Sequence, residues 1–198
     1  MTCETSKPVT DQPLHHEVLI AGFGGQGVVL AGYLLAEAAL AEGRQVVWAP
    51  SYGPEMRGGP VHCTVIISSQ RIGSPEVSLA DSLLIMDRAS LQRFSRRLKP
   101  GGLLVLNSSL VPPPPDTDEC ELLLIPANDA AEALGNARVA NVIMLGAFLQ
   151  QRPVLSRDSV ETAMRLPAVR IPQHLIPLNQ QALARGMELA RCWRGDRP

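Results

Sequence analysis

Val18-Leu19-Ile20-Ala21-Gly22-Phe23-Gly24-Gly25-Gln26-Gly27-Val28 is the stretch whose reading decides the fold. Its four leading apolar residues do not alternate with polar ones and end in glycines, which is the signature of a strand buried on both faces. Behind the glycines, Val28 to Glu42 is rich in Ala and Leu, and Gly43 stands where such a helix would stop. Gln45 to Ala49 reads as a second strand. Strand, glycine turn, helix and strand together make a βαβ unit.

Working outward, Pro50 to Pro60 has no helical character and leads into a β-branched, alternating run, Val61 to Ser68. A strand reached through such a loop can run antiparallel, so the sheet is expected to be mixed. Ser82 to Met86 is a further buried strand, and Ala89 to Leu98 a helix with a basic outer face, stopped by Pro100-Gly101-Gly102. Strands follow at Leu103–Leu106 and Leu122–Ile125, on either side of a stiff Pro112–Pro115 connector. Asn128 is placed to cap a short helix ending near Gly135, and Arg138–Gln150 forms a more apolar one ended by Pro153. Ser156 caps a helix through Leu166, and an amphipathic helix spans about Leu178 to Cys192. Strands alternating with helices predict a three-layer α/β/α, Rossmann-like domain with a mostly parallel, mixed sheet. Its expected limits are 16–192, between a loose leader at 1–15 and a tail at 193–198.

Composition narrows the function. With 45% hydrophobic and 19% charged residues the chain is an ordinary globular one, and 198 residues suit one core. A net charge of −1 with few aromatics argues against nucleic acid as the main partner. No apolar run approaches the ~20 residues that span a bilayer, and Met1–Glu17 lacks a signal-peptide core, so a cytoplasmic protein is expected. Cys3, Cys63, Cys120 and Cys192 are scattered without a CxxC pair, so no zinc or iron–sulfur site is written here and redox chemistry by this chain alone is not expected.

Two loops carry chemistry. Gly22, Gly24 and Gly27 satisfy the GxGxxG spacing between a strand and a helix, where glycines permit a tight turn and the helix N-terminus offers free N–H groups to an anion. Nicotinamide binding also needs an acid about 20 residues on, at the end of the second strand. That strand ends Trp48-Ala49-Pro50-Ser51, with no Asp or Glu before Glu55. The second loop is Ser51-Tyr52-Gly53-Pro54-Glu55-Met56-Arg57-Gly58-Gly59. Its length and its paired glycines point to a functional loop, emerging at the same sheet end as the glycine turn. His62 sits within a strand and reads as a packing residue; His174 lies in a proline-rich turn without a visible partner.

Taken together, Gly22-Phe-Gly-Gly-Gln-Gly27-Val and Ser51-Tyr-Gly-Pro-Glu-Met-Arg-Gly-Gly59 closely resemble the γ subunit of 2-oxoacid:ferredoxin oxidoreductases. The likeness continues at Val65–Ser68, at Pro100-Gly-Gly102 and at Gly135-Asn-Ala-Arg-Val-Ala-Asn141, and spans about His16 to Arg191. Pro60 and the Pro112–Pro115 run depart from the pattern and alter connectors more than chemistry. The resemblance implies an enzyme divided between subunits, which decarboxylates a 2-oxoacid oxidatively and passes the acyl group to coenzyme A. Thiamine diphosphate, magnesium and four-iron clusters would sit on other chains, with none bound by this one alone. The implied partners are thiamine-binding α and β subunits, a ferredoxin-like δ subunit as a further candidate, and ferredoxin as electron acceptor. The form of the second loop is nearer the 2-oxoglutarate, pyruvate and branched-chain members than the indolepyruvate branch.

By the same resemblance no residue here is catalytic and none binds metal. Cofactor-binding or subunit-interface roles would fall to Gly22, Gly24, Gly25, Gln26, Gly27, Ser51, Tyr52, Gly53, Pro54, Glu55, Arg57, Gly58, Gly59 and Asn141. Arg57 would meet a coenzyme A phosphate or a neighbouring carboxylate, with Glu55 orienting it. Two alternatives stay open: a self-contained Rossmann-like nucleotide-binding protein, and a purely structural subunit.

Overall fold

A computed structural model describes residues 13–52, 59–114 and 119–193. The first strand, β1 (His15–Phe23), enters the glycine turn and leads to α1 (Val28–Ala41) and β2 (Gln45–Tyr52). There follow β3 (Pro60–Ser68), β4 (Ala80–Ile85), α2 (Arg88–Phe94), β5 (Leu98–Asn107) and β6 (Glu121–Ile125). Helices complete the chain: α3 (Ala127–Ala133), α4 (Ala140–Gln151), α5 (Arg157–Ala163) and α6 (Ile176–Cys192).

The sheet order is β2-β3-β1-β4-β5-β6. β1, β4, β5 and β6 pair in parallel, while β3 runs antiparallel to both β1 and β2, so the expected mixed sheet is found. One consequence lay outside the βαβ expectation. β2 does run in the direction of β1, but β3 is inserted between them.

Alternation along the strands divides the core in two. Val18, Ile20, Cys63, Val65, Leu84, Leu103, Val105 and Leu123 face the layer of α1, α3, α4, α5 and α6. Leu19, Ala21, Ile66, Leu83, Ile85, Leu104 and Leu106 face the other side, which α2 covers through Phe94. The helical layers are therefore unequal. α4 is buried from Ala140 to Leu149 because it lies beneath α6. Each large apolar side chain so enclosed contributes about 1.5–3 kcal/mol.

Small residues set that helix crossing. A Cβ on Gly146 would strike the Leu183 carbonyl, and one on Gly186 the Ile143 carbonyl. α1 is tied to α5 by Glu42, whose carboxylate accepts from the Ser156 N–H and the Ser159 hydroxyl, both at 2.7 Å. Ser156 is the expected N-cap, accepting from Ser159 N–H, but α5 ends at Ala163 rather than Leu166.

Two other expectations are corrected. The helix expected to run to Leu98 stops at Phe94 and gives way to a 3-10 turn at Ser95–Arg97. Leu98 is then drawn into β5 opposite Ala80, and Pro100-Gly101-Gly102 forms a bulge within that strand. Asn128 does not cap α3, whose cap position is Pro126. Its Oδ1 instead accepts from Asn107 Nδ2 at 2.8 Å.

At the far end of the sheet, Lys99 bridges Glu17 and Asp81 at 2.9 and 2.8 Å. Burial pushes the Asp81 carboxyl up, but hydrogen bonds from Lys99 and the Glu17 N–H outweigh it and hold the group below its ordinary value.

Gly186→Val is expected to lower the unfolding free energy by about 1–3 kcal/mol, since a carbonyl oxygen would have to give way. An unchanged urea midpoint would refute the close α4–α6 approach. Because the folded state holds Asp81 low, its contribution is present above about pH 4 and lost as pH falls through the folded value. Lys99→Met therefore moves the acid-unfolding midpoint to higher pH, as read by circular dichroism.

Candidate functional site at the glycine-turn end of the sheet

Strands β1, β2, β4, β5 and β6 all end at one edge of the sheet, where β3 begins. The glycine turn is closed there by one side chain. Gln26 Oε1 accepts the Phe23 N–H at 2.7 Å, while the Gln26 N–H donates to the Phe23 carbonyl at 3.1 Å. Gly22 has no room for a side chain: a Cβ would meet Gln26 Oε1 at 2.5 Å and Met86 Cβ at 2.9 Å. Gly25 and Gly27 have φ of 99° and 76°, the left-handed region that favours glycine.

Gly27 occupies the cap position of α1 and meets Asn141, which projects from the first turn of α4. Asn141 Nδ2 donates to the Gly27 carbonyl at 2.9 Å, and the same carboxamide fills the space a Gly27 side chain would need. Asn141 is 3% exposed, and its Oδ1 is buried with no hydrogen-bond partner among the described residues. At the helix start no acid lies in the first turn, and no described side chain caps it. Its N–H groups are thus available to an anion.

The other loop approaches through its stems. Gly24 N–H donates to the Gly59 carbonyl at 3.0 Å, joining the glycine turn to the start of β3. Ser51 and Tyr52 end β2 opposite His62 and Val61, so β3 separates them from the turn. Tyr52 is 66% exposed and Phe23 38%, leaving two large apolar side chains uncovered at this edge. Gly53, Pro54, Glu55, Arg57 and Gly58 lie outside the described residues.

Asn107 was not singled out from the sequence. It ends the apolar run of β5, is fully buried, and its Nδ2 donates to the Met86 carbonyl at 3.3 Å. Its Oδ1 accepts the Ala127 N–H at 3.2 Å, so one side chain joins the ends of β4 and β5 to the start of α3. The available signal was an amide directly after Leu103–Leu106, since a buried amide needs partners.

Cys63 and His62, on β3, add no reactive group to this end of the sheet. Burial pushes the Cys63 thiol up to about 12, leaving it protonated and unreactive. His62 packs on Phe94 with ring centres 4.8 Å apart, as a packing residue should. Burial first, then Arg93 and Arg97, lower its pKa and keep it neutral. Among the described residues no group of three His, Cys, Asp or Glu could hold a metal ion. No described helix is long and apolar enough to cross a membrane.

Asn141→Ala is expected to cost about 1 kcal/mol, the usual worth of one hydrogen bond, offset in part by removing the unpaired Oδ1. Gly27→Ala should cost more, because it combines an unfavourable φ with a collision against Asn141. Equal stability for Gly27→Ala and the wild type in urea melts would sink this account of the turn.

Residues 17–189 match the family described as pyruvate ferredoxin/flavodoxin oxidoreductase. The ketoisovalerate oxidoreductase subunit VorA of Methanothermobacter thermautotrophicus is 37% identical over 175 residues, 88% of this chain but 36% of that one. The 2-oxoglutarate synthase subunit KorC of Methanocaldococcus jannaschii is 32% identical over 181 residues, 90% of this chain and 95% of that one. A solved γ subunit of a keto/oxoacid ferredoxin oxidoreductase from Geobacter sulfurreducens superposes with a TM-score of 0.76 at 35% identity, covering 90% and 99% of the two chains. The chain thus spans little more than a third of the VorA relative and nearly all of the other two. With a glycine turn, a reversed third strand and a match across almost its whole length, the chain belongs to the pyruvate ferredoxin/flavodoxin oxidoreductase family.

Proposed function

We propose that this chain is the γ-type subunit of a 2-oxoacid:ferredoxin oxidoreductase that converts 2-oxoglutarate or a pyruvate-like acid to its acyl-CoA. Residues 16–192 act as one domain in that complex. The domain packs on thiamine-binding α and β subunits, with a ferredoxin-like δ subunit beside them and ferredoxin accepting the electrons. Thiamine diphosphate with magnesium and the four-iron clusters belong to those other chains and supply the decarboxylation and the electron path.

The observation that carries the reading is the uncapped, acid-free start of α1, set beside the Gly24–Gly59 hydrogen bond at one sheet edge. A helix N-terminus of this kind favours negative charge, and coenzyme A brings phosphates. Arg57 adds a planar guanidinium suited to the same oxygens, with Glu55 as its orienting partner. Exposed Phe23 and Tyr52 supply apolar area for a neighbouring subunit. This chain's own contribution is therefore binding and positioning, and the bond-making groups lie elsewhere in the assembly.

The reading is tested by purifying the chain with its co-expressed partners. Larger chains carrying thiamine and iron should co-elute with it, and a stable monomer with its own activity would overturn the reading. In the assembled enzyme, Arg57→Ala should raise the KM for coenzyme A roughly 10–100-fold, the worth of a hydrogen bond to a charged group. Unchanged KM together with unchanged assembly would remove Arg57 from the site.

A further inference from the structure

Residues 88–99 contain Arg88, Arg93, Arg96, Arg97 and Lys99 and no carboxylate, in a chain whose net charge is −1. The arginines lie on α2 and the 3-10 turn after it, on the thinly covered side of the sheet, and Lys99 lies at the start of β5. Lys99 is neutralised by Glu17 and Asp81. The four arginines form no ion pair with a carboxylate among the described residues.

This is not the usual solvated helix face, on which charges of both signs alternate. Arg93, Arg96 and Arg97 stand close together across the end of α2 and the 3-10 turn, and like charges so placed repel each other. The guanidinium groups are also held in place. Those of Arg93 and Arg97 lie 5.2 and 5.8 Å from the centre of the Phe94 ring, and Arg97 donates to the carbonyls of Val77 and Ser78. Arg88, Arg93 and Arg96 are exposed.

Beside the arginines runs a cavity of about 450 Å³. Leu91, Leu98 and Leu104 line it together with Arg96, Lys99 and Glu119. Such a groove suits an apolar side chain, with Arg96 left to meet a carboxylate beside it, since Lys99 is held by Glu17 and Asp81. Nucleic acid fits less well, because Phe94 is only 4% exposed and offers no face on which a base could stack. The guanidinium fork pairs bidentately with carboxylate as it does with phosphate, and the leucines beside it favour a protein side chain as the neighbour of that anion.

We propose that the arginine face of α2, with the apolar groove beside it, is the docking surface for an acidic segment of another protein subunit. The inference rests on the subunit reading above and adds a surface and a partner chemistry to it. Docking there replaces the mutual repulsion of the arginines by pairing with carboxylates, and its strength falls as salt screens the charges.

The test uses the complex reconstituted from this chain and its co-expressed subunits. Arg88→Glu, Arg93→Glu and Arg96→Glu are combined in one variant, and its folding is checked by circular dichroism. Association of the triple variant with the remaining subunits should weaken at least tenfold at low ionic strength. The corresponding triple change to Lys, which keeps the charge, should retain most of the association. Wild-type affinity should fall steadily with added salt, a readout that stands even if the charge-reversed variant does not fold. Wild-type-like assembly of the folded Glu variant, or a flat salt profile, overturns the docking surface while leaving the subunit reading intact. Tighter binding to duplex DNA or to phosphatidylserine vesicles than to the subunits also overturns it. A wild-type chain that associates with no thiamine-binding subunit overturns both.

Discussion

One carboxamide ties together the starts of two helices on the same sheet face: Asn141 Nδ2 donates to the Gly27 carbonyl across 114 residues of sequence. The bond fixes where α4 begins relative to where α1 begins, so two helices that share the face of one sheet are registered at their N-termini. It exists only because Gly27 has no Cβ, since any side chain there would occupy the place of the amide. The thick layer is built on the same helices. α4 lies buried along its length, and α6 crosses it where Gly146 and Gly186 let the backbones meet. The arrangement has a cost. Asn141 Oδ1 is left buried and unpaired, which takes back part of what the bond contributes. The other end of the same side chain holds the turn.

The unequal coverage of the sheet has a similar origin. The central strands are apolar on both faces, so both need cover, but the chain after β6 consists of helices that all return to the α1 side. The opposite face receives α2, seven residues long, and is completed by loop residues such as Val77 and Val111. A thin layer brings its outer surface close to the sheet, which is why Phe94 can pack on His62 of β3 while arginines cover it from outside.

Much of this was legible in the sequence, and the exceptions share a cause. Local period and glycine punctuation located the strands, α1 and its stop, because those signals are written within a few residues. The basic outer face of α2 was legible for the same reason. The end of α2 was not: Ser95-Arg96-Arg97 has ordinary helical propensity, and only pairing with Ala80 explains why Leu98 belongs to β5. Asn128 has the right chemistry to cap α3, but Asn107 claims its oxygen, a contact decided by the neighbouring strand end. Asn141 was marked through family likeness, since nothing local reveals that its partner is Gly27. The bond from Gly24 to Gly59 was equally hidden, because it depends on β3 lying beside β1.

That same placement of β3 decides what the glycine turn can do. In a doubly wound dinucleotide fold the ribose is held by an acid at the end of the strand next to β1. Here the neighbour is β3, running the other way, and the end of β2 is displaced by two strand spacings, about 10 Å. An acid at the end of β2 would therefore be out of reach of a ribose lying over α1, so the sequence Trp48-Ala49-Pro50-Ser51 lacks nothing that this topology could use. The turn's own donors are also partly engaged, with the Gly24 N–H bound to Gly59 and the Phe23 N–H to Gln26. What remains unengaged is the first turn of α1, a compact positive pole without a specificity element of its own. Such a pole recognises phosphate or carboxylate only when something else brings the ligand to it, which is the part that the proposed function gives to neighbouring subunits.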